Sequence, residues 1–301
     1  MNDKAKGMLY GSLVGDALAL GVHWIYNTRV IDKKWGRVET FLKPERPTYH
    51  PTKDLGEFTH YGDQALVLLR SISKYGSFDL EHFARDWQGF FASFDGYFDE
   101  ATKGTLANIS AGKDVRSAGS RSRDLAGAAR IAPLVYCYRN DLHNLIASAR
   151  AQTAFTHNTD TVLGSAEFFG RVTFRVLGGE DIVSAVQAVA NEGFDQEPFS
   201  HWIEEGLHSI NRSTRESILD FGQMCEVDAA FPAVVHLIAK YKNNLREGLI
   251  ENVMAGGDSA GRGLMVGMVL GAHLGLDAIP EEWLKDLKAF AEIMELLDTL
   301  P

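Results

Sequence analysis

The chain has 301 residues, 45% of them hydrophobic and 23% charged, with a formal net charge of -10. That size suits a large buried core, and the acidic balance without any run of Lys or Arg excludes a general nucleic-acid binder. Two cysteines, Cys137 and Cys225, exclude a disulfide framework and point to a reducing, cytoplasmic setting.

The first apolar stretch reads as a helix over 4–22, not a signal peptide, because Asp16 interrupts it and no small-residue cleavage site follows. Gly7, Gly11 and Gly15 recur every four residues and so share one helix face. Each glycine costs a helix roughly 1 kcal/mol against alanine, so a stripe of them implies a second backbone lying close. Asp16 on this helix is expensive to bury unless it is hydrogen-bonded or faces a ligand.

Residues 36–62 carry prolines, glycines, aromatics and histidines without periodicity, which predicts a long ordered loop of the functional kind. "THYGDQALVLL" then places Asp63 ahead of an apolar helix, as a cap or as a site carboxylate, with Gln64 beside it. Helices are expected over 64–75 and 79–93. The small, polar segment 104–127 is expected to be a loop. "GAARIAPLV" puts Arg130 at the start of a helix over 128–138, where a cation opposes the helix dipole and calls for an anionic partner.

Further helices are predicted over 142–155, 159–177, 181–191, 198–209, 214–222, 229–241 and 245–254, and a tail helix over 281–298. His157 falls in the turn before the helix at 159, among the caps Asn158, Thr159 and Asp160. "AGGDSAGRGLMVGMVLGAHLG" at 255–275 opens a last glycine-faced helix, with Gly263, Gly267, Gly271 and Gly275 four apart. Asp258 or Ser259 can cap it, whereas Arg262 stands in a first turn that disfavours a cation. Residues 263–275 are too few to span a bilayer. No alternating strand pattern of useful length occurs, so the expectation is an all-α bundle forming one domain over 1–301. The chain holds no phosphate loop, HExxH, CxxC or GxSxG.

Taken together, "GSLVGDALAL", "THYGDQ" at 59–64, "GAARIAPL" at 127–134, "THNTD" at 156–160 and "GGDSAGRG" at 256–263 resemble the ADP-ribosylglycohydrolase family. Within it, the likeness is strongest to the jellyfish J1-crystallin-like branch. The resemblance spans nearly the whole chain and implies an all-α orthogonal multi-helix bundle. It also implies hydrolysis of the glycosidic bond between ADP-ribose and a side chain or small acceptor, with two magnesium or manganese ions.

The first family metal loop, Thr-Asp-Asp, falls on Gly62, Asp63 and Gln64. The second, Asp-x-Asp-Thr, falls on Asp258, Ser259, Ala260 and Gly261, and a family glutamate falls near His23. The resemblance thus marks Asp16, Asp63 and Asp258 as catalytic, and Arg130, His157, Gln64, Arg262 and Ser259 as substrate-binding. With only Asp63 and Asp258 left as loop ligands, at most one Mg2+ or Mn2+ is expected, or none. Arg262 is a candidate to replace the lost metal charge by pairing with Asp258 or Asp63. The partner implied is free or protein-linked ADP-ribose, with no nucleic acid or membrane. The alternative is a binding protein for ADP-ribose or another nucleotide, or a crystallin-like structural protein, without turnover.

Overall fold

In the computed structural model, which describes residues 2–300, the chain is an all-α multi-helix bundle. The described residues contain no sheet, only two isolated bridges, Ser120 with His157 and Asp124 with Glu226. In chain order the helices are α1 (Asn2–Ala19), α2 (Thr28–Trp35), α3 (His60–Tyr75), α4 (Leu80–Ala92), α5 (Glu100–Ser110) and α6 (Ala126–Ala129). Then follow α7 (Ala132–Cys137), α8 (Leu142–Thr156), α9 (Asp160–Leu177), α10 (Ile182–Ala190), α11 (Phe199–His208) and α12 (Thr214–Phe221). The last are α13 (Val227–Lys240), α14 (Leu245–Met254), α15 (Ser259–Leu274), α16 (Glu281–Asp286) and α17 (Phe290–Asp298).

The two glycine stripes meet, as their spacing predicts. α1 and α15 form the most extensive helix pair in the molecule. A Cβ built on Gly15 would lie 2.2 Å from the Gly263 carbonyl oxygen, and one on Gly271 would lie 2.1 Å from that of Gly7. Backbone touches backbone there, so neither helix has room for a side chain at these positions. This pair sits at the centre of one continuous core and is buried along nearly its full length.

Four expected boundaries shift. Residues 100–110, within and ahead of the expected loop, are helix α5, started by Asp99 accepting from the Thr102 N–H. A short helix, α2, precedes the long loop and starts on Asn27. The helix expected over 128–138 is two pieces, broken at Arg130 and Ile131 ahead of Pro133, whose ring nitrogen cannot donate. The tail helix likewise divides at Leu287–Ala289, where the Lys288 N–H donates to the Gly56 carbonyl.

The loop at 36–59 is ordered, as expected, and it folds back against the bundle. Val38, Phe41, His50 and Phe58 are all buried. This return brings the loop's aromatic and histidine side chains over the beginnings of α3 and α15.

Candidate functional site

Three chain segments converge at one end of the α1–α15 pair: the turn after α1, the loop that follows α2, and the first turn of α3. Asp16 is fully buried near the end of α1. Its carboxylate accepts from the Thr59 N–H at 2.7 Å, the Thr59 hydroxyl at 2.6 Å and the Gly62 N–H at 3.2 Å. Burial pushes its pKa up to about 7, against the pull of the Thr59 bonds. It thus ties the otherwise unpaired first turn of α3 to α1.

Asp63 is not the cap of α3. That helix begins at His60 with Thr59 as its cap, so Asp63 sits inside the first turn. Its carboxylate holds the Lys53 ammonium, 2.8 Å from one oxygen and 2.6 Å from the other. Both side chains are nearly covered, and burial raises the Asp63 pKa while Lys53 opposes it.

Gln64, Arg130 and His157 form a second buried group. The Gln64 Oε1 accepts from the Trp87 indole at 2.9 Å and from the Arg130 guanidinium. Arg130 also donates to the Thr156 hydroxyl, which in turn lies 2.9 Å from His157 Nδ1. Burial brings Arg130 down to about 10, and burial followed by Arg130 takes His157 down to about 3. The anionic partner that Arg130 calls for is therefore answered by neutral oxygens.

Asp258 occupies the N-cap position of α15, yet its side chain caps nothing. It is fully buried, neither oxygen has a well-formed hydrogen bond, and His23 Nε2 lies 3.6 Å away. Burial lifts its pKa to about 7, with Arg262 opposing. Arg262 makes neither of the pairings considered from the sequence. Its Nε donates to Asn252 Oδ1 at 3.0 Å and a terminal nitrogen donates to the Gly256 carbonyl. A neutral amide and a carbonyl thus receive this guanidinium at the turn from α14 to α15, and Asp258 acts on it only through space. Ser259 gives its carbonyl to Asn252 Nδ2 at 2.7 Å, and its hydroxyl is buried without a partner.

None of His23, His50 and His60 is singled out as a site residue by the sequence. His23, His50 and His60 have ring centres 5.6, 5.4 and 6.3 Å apart, and all three are buried. Trp24 lies over them, 4.4 Å from His23 and 5.5 Å from His60. It takes φ 63°, a left-handed conformation that costs a non-glycine residue roughly 1–2 kcal/mol. Its N–H donates to the Gly257 carbonyl, which pins it beside Asp258. His23, Trp24, Tyr26, Trp35 and Tyr49 wall a cavity of about 520 Å³, with Lys34 and Glu45 also lining it. The sequence signals for this group were the aromatic and histidine content of the 36–62 loop and the family glutamate that falls near His23.

The buried imidazoles set a pH limit on stability. His50 and His157 are held near 3, His236 near 4, and His23 well below the ordinary 6.5, each chiefly by burial. An unfolded chain takes up protons there that the folded chain refuses, so stability is full above 6.5 and falls as pH drops toward 4. Asp16, Asp63, Asp124 and Asp258 act in the opposite sense, because burial raises each of them, so their contribution is lost as pH rises above about 4. Five lowered imidazoles, with His273 added to the four, outweigh these four carboxyls. Denaturant titrations between pH 7 and 4 are expected to show stability falling on the order of 1 kcal/mol per pH unit. A flat or rising profile on acidification would contradict these buried neutral rings.

The fold and this buried polar centre place the chain in a class: it belongs to the ADP-ribosylglycohydrolase family, whose family model matches residues 1–301. Among individual proteins it is similar to crystallin J1A of Tripedalia cystophora, 24% identical over 99% of this chain and 96% of the relative. It is also similar to the ADP-ribosyl-[dinitrogen reductase] glycohydrolase of Rhodospirillum rubrum, 23% identical over 100% and 96%. A solved structure titled "ADP-ribosylglycohydrolase-related protein complex" shares the fold, with a TM-score of 0.76 at 24% identity, over 99% of this chain and 96% of that one. Membership and fold together support a general hydrolase of the ADP-ribosylglycohydrolase type. Among the described residues, no helix is long and apolar enough to cross a membrane.

The family resemblance implies magnesium or manganese, hard ions that want six oxygens in near-octahedral array. The residues here do not fit such a pair. Asp16 is filled by three donors, both Asp63 oxygens face an ammonium, and Ala260 and Gly261 stand where the second loop's aspartate and threonine would be. Among the described residues, no three His, Cys, Asp or Glu side chains converge, as they stand, on a point that would hold an ion.

Proposed function

We propose that the protein hydrolyses the glycosidic bond of an ADP-ribosyl group carried by a side chain or small acceptor, with Asp258 as its working carboxylate. The observation that carries this reading is a buried carboxylate without a well-formed hydrogen bond, set beside an imidazole that lines an aromatic cavity. Groups left unpaired in a protein interior cost free energy, and they are retained where a reaction needs them.

In this reading a water placed between Asp258 and the anomeric carbon gives its proton to the carboxylate as its oxygen bonds to C1. The C1–acceptor bond breaks, and the acceptor leaves with the proton that Asp258 took from the water, which restores the carboxylate. His23 Nε2, 3.6 Å from Asp258 Oδ1, orients the carboxylate. Trp24, Tyr26, Trp35 and Tyr49 offer faces on which a flat base stacks, and Lys34 offers a cation to the phosphates. Substrate entry swings the Trp24 indole aside.

Asp258→Asn is expected to lower kcat/KM on ADP-ribosyl-arginine or ADP-ribosyl-serine by about 100-fold or more, with the thermal transition kept within a few degrees. Unchanged turnover in this variant would remove the reading. A second reading, an ADP-ribose binder without turnover, is favoured by the complete enclosure of Asp258. Calorimetry with ADP-ribose, with and without magnesium, followed by product analysis on both conjugates, separates the two. Saturable binding with no product establishes the binder.

A further inference from the structure

We infer that the exposed face of α2, beside the mouth of the aromatic cavity, is a docking surface for an acidic segment of protein, the carrier of the ADP-ribosyl group. Packing accounts for little of this helix. Of its eight residues, Ile31 alone is buried. Its outer side shares Val30 and Lys34 with the cavity wall. With Arg29 and Lys33, the same two residues line an adjoining cleft of about 390 Å³.

The charge of this face opposes that of the whole chain. The protein carries a formal net charge of -10. Yet Arg29, Lys33 and Arg46 stand exposed here, and none of their side chains meets a carboxylate among the described residues. Arg46 lies between Glu45 and Pro47, which both line the cavity. Asp32, the only acid of α2, is taken by Arg215 at 2.7 and 2.9 Å. Lys34 is tied to Glu45 at 3.0 Å, but both side chains are well exposed and such a pair is weak in water. Lys33 stands in the last turn, where the helix dipole favours a cation. Arg29 stands in the first, where it does not. Nothing within the chain answers that charge, so an anionic partner from outside does.

Apolar surface gathers at the same place. Tyr26, Val30 and Tyr49 are 47%, 43% and 56% exposed around the mouth of the cavity. One such residue needs no explanation, but three together beside unpaired cations have the make-up of an interface, in which tyrosine and arginine are favoured. Size sets the kind of partner. Eight helical residues span about 12 Å, the reach of about three or four extended residues. That suits a short stretch of peptide. A nucleic acid spreads its charge over a longer track and would meet the repulsion of the surrounding acidic surface.

The role of carrier rests on the reading of the cavity as the ADP-ribosyl site, whereas the surface itself does not. A side chain whose ADP-ribosyl group fills the cavity leaves its flanking residues at the mouth, against α2. Acidic flanks meet Arg29, Lys33 and Arg46 there, and basic flanks are repelled. A free small conjugate lacks this contact altogether.

The test follows the fluorescence anisotropy of a short labelled peptide of Asp, Glu and Gly, without ADP-ribose, as full-length protein is added. Saturable binding is expected, weakening about 10-fold or more as salt rises from about 50 to 300 mM. The net charge of the protein repels such a peptide, so binding requires a local positive face. The double variant Arg29→Glu, Lys33→Glu and the single variant Arg46→Glu are each expected to lose affinity by about 10-fold or more, with circular dichroism confirming that they fold. The same peptide with Asn and Gln in place of its acids is expected not to bind. Absence of saturable binding would overturn the proposal, as would equal binding of the neutral peptide or affinity unchanged in both variants. Tighter binding of a single-stranded oligonucleotide of equal charge would also overturn it. Turnover plays no part in these readouts, so failure here leaves the role of Asp258 to its own assay. If instead Asp258→Asn keeps full turnover while the acidic peptide binds as expected, the surface stands and its role as carrier site falls.

Discussion

Gly267→Ala is expected to destabilise the protein by about 3 kcal/mol or more, although alanine is the better helix former. The added Cβ would stand 1.9 Å from the Gly11 carbonyl oxygen and 2.4 Å from its carbon. Both are backbone atoms of α1, so no rotamer change relieves the clash. The two helices would have to separate along a contact that is buried on every side. The gain in helix propensity, roughly 1 kcal/mol, is too small to offset that. Gly89→Ala provides the contrast. Gly89 also lies inside a helix, α4, yet a Cβ there meets nothing within 4 Å. That variant is expected to gain about 0.5–1 kcal/mol. Urea midpoints of the two variants, measured side by side, should move in opposite directions. Equal stability of Gly267→Ala and the parent would contradict the packing of α1 on α15.

Asp16→Ala is expected to cost about 3–5 kcal/mol, because it removes the acceptor for three buried donors at once. The Thr59 N–H, the Thr59 hydroxyl and the Gly62 N–H all end on this carboxylate. The two backbone donors, the N–H groups of Thr59 and Gly62, belong to the start of α3, where the helix offers them no acceptor of its own. Asp16→Asn keeps one acceptor oxygen and nearly the same volume, so about half the loss is expected. Thermal melting ranks parent, Asn and Ala in that order. An Ala variant as stable as the parent would show that the carboxylate is not the tie between α1 and α3.

Much of the fold was legible because it rests on local periodicity. Glycines at intervals of four specify a face whatever lies opposite, and two such faces in one chain find each other. The aromatic, proline-rich character of residues 36–62 likewise announced an ordered loop. Helix α5 escaped because only Ala101, Thr102 and Thr105 of it are buried, too few to write an apolar period. α2 escaped for the same reason, with Ile31 alone buried.

The candidate site was legible by type and not by partner. The family motifs located Asp16, Asp63, Asp258, Arg130 and His157, but hydrogen bonding across segments decides what each one does. Lys53 reaches Asp63 from the loop, and Asn252 receives Arg262 from the preceding helix. His23, His50 and His60 come from three separated stretches, so no window of sequence contains them together. Their grouping is a product of the loop's return to the bundle.

The pairing of α1 with α15 also governs the order of assembly. It joins residues 2–19 to residues 259–274, nearly the whole length of the chain apart. Contacts that distant form only after a large loop has been closed, and chains dominated by them fold slowly. During synthesis, the first helix must therefore wait, its glycine face uncovered, until the fifteenth has left the ribosome. A chain interrupted before residue 259 lacks the partner for that face and is left as a target for chaperones or proteases.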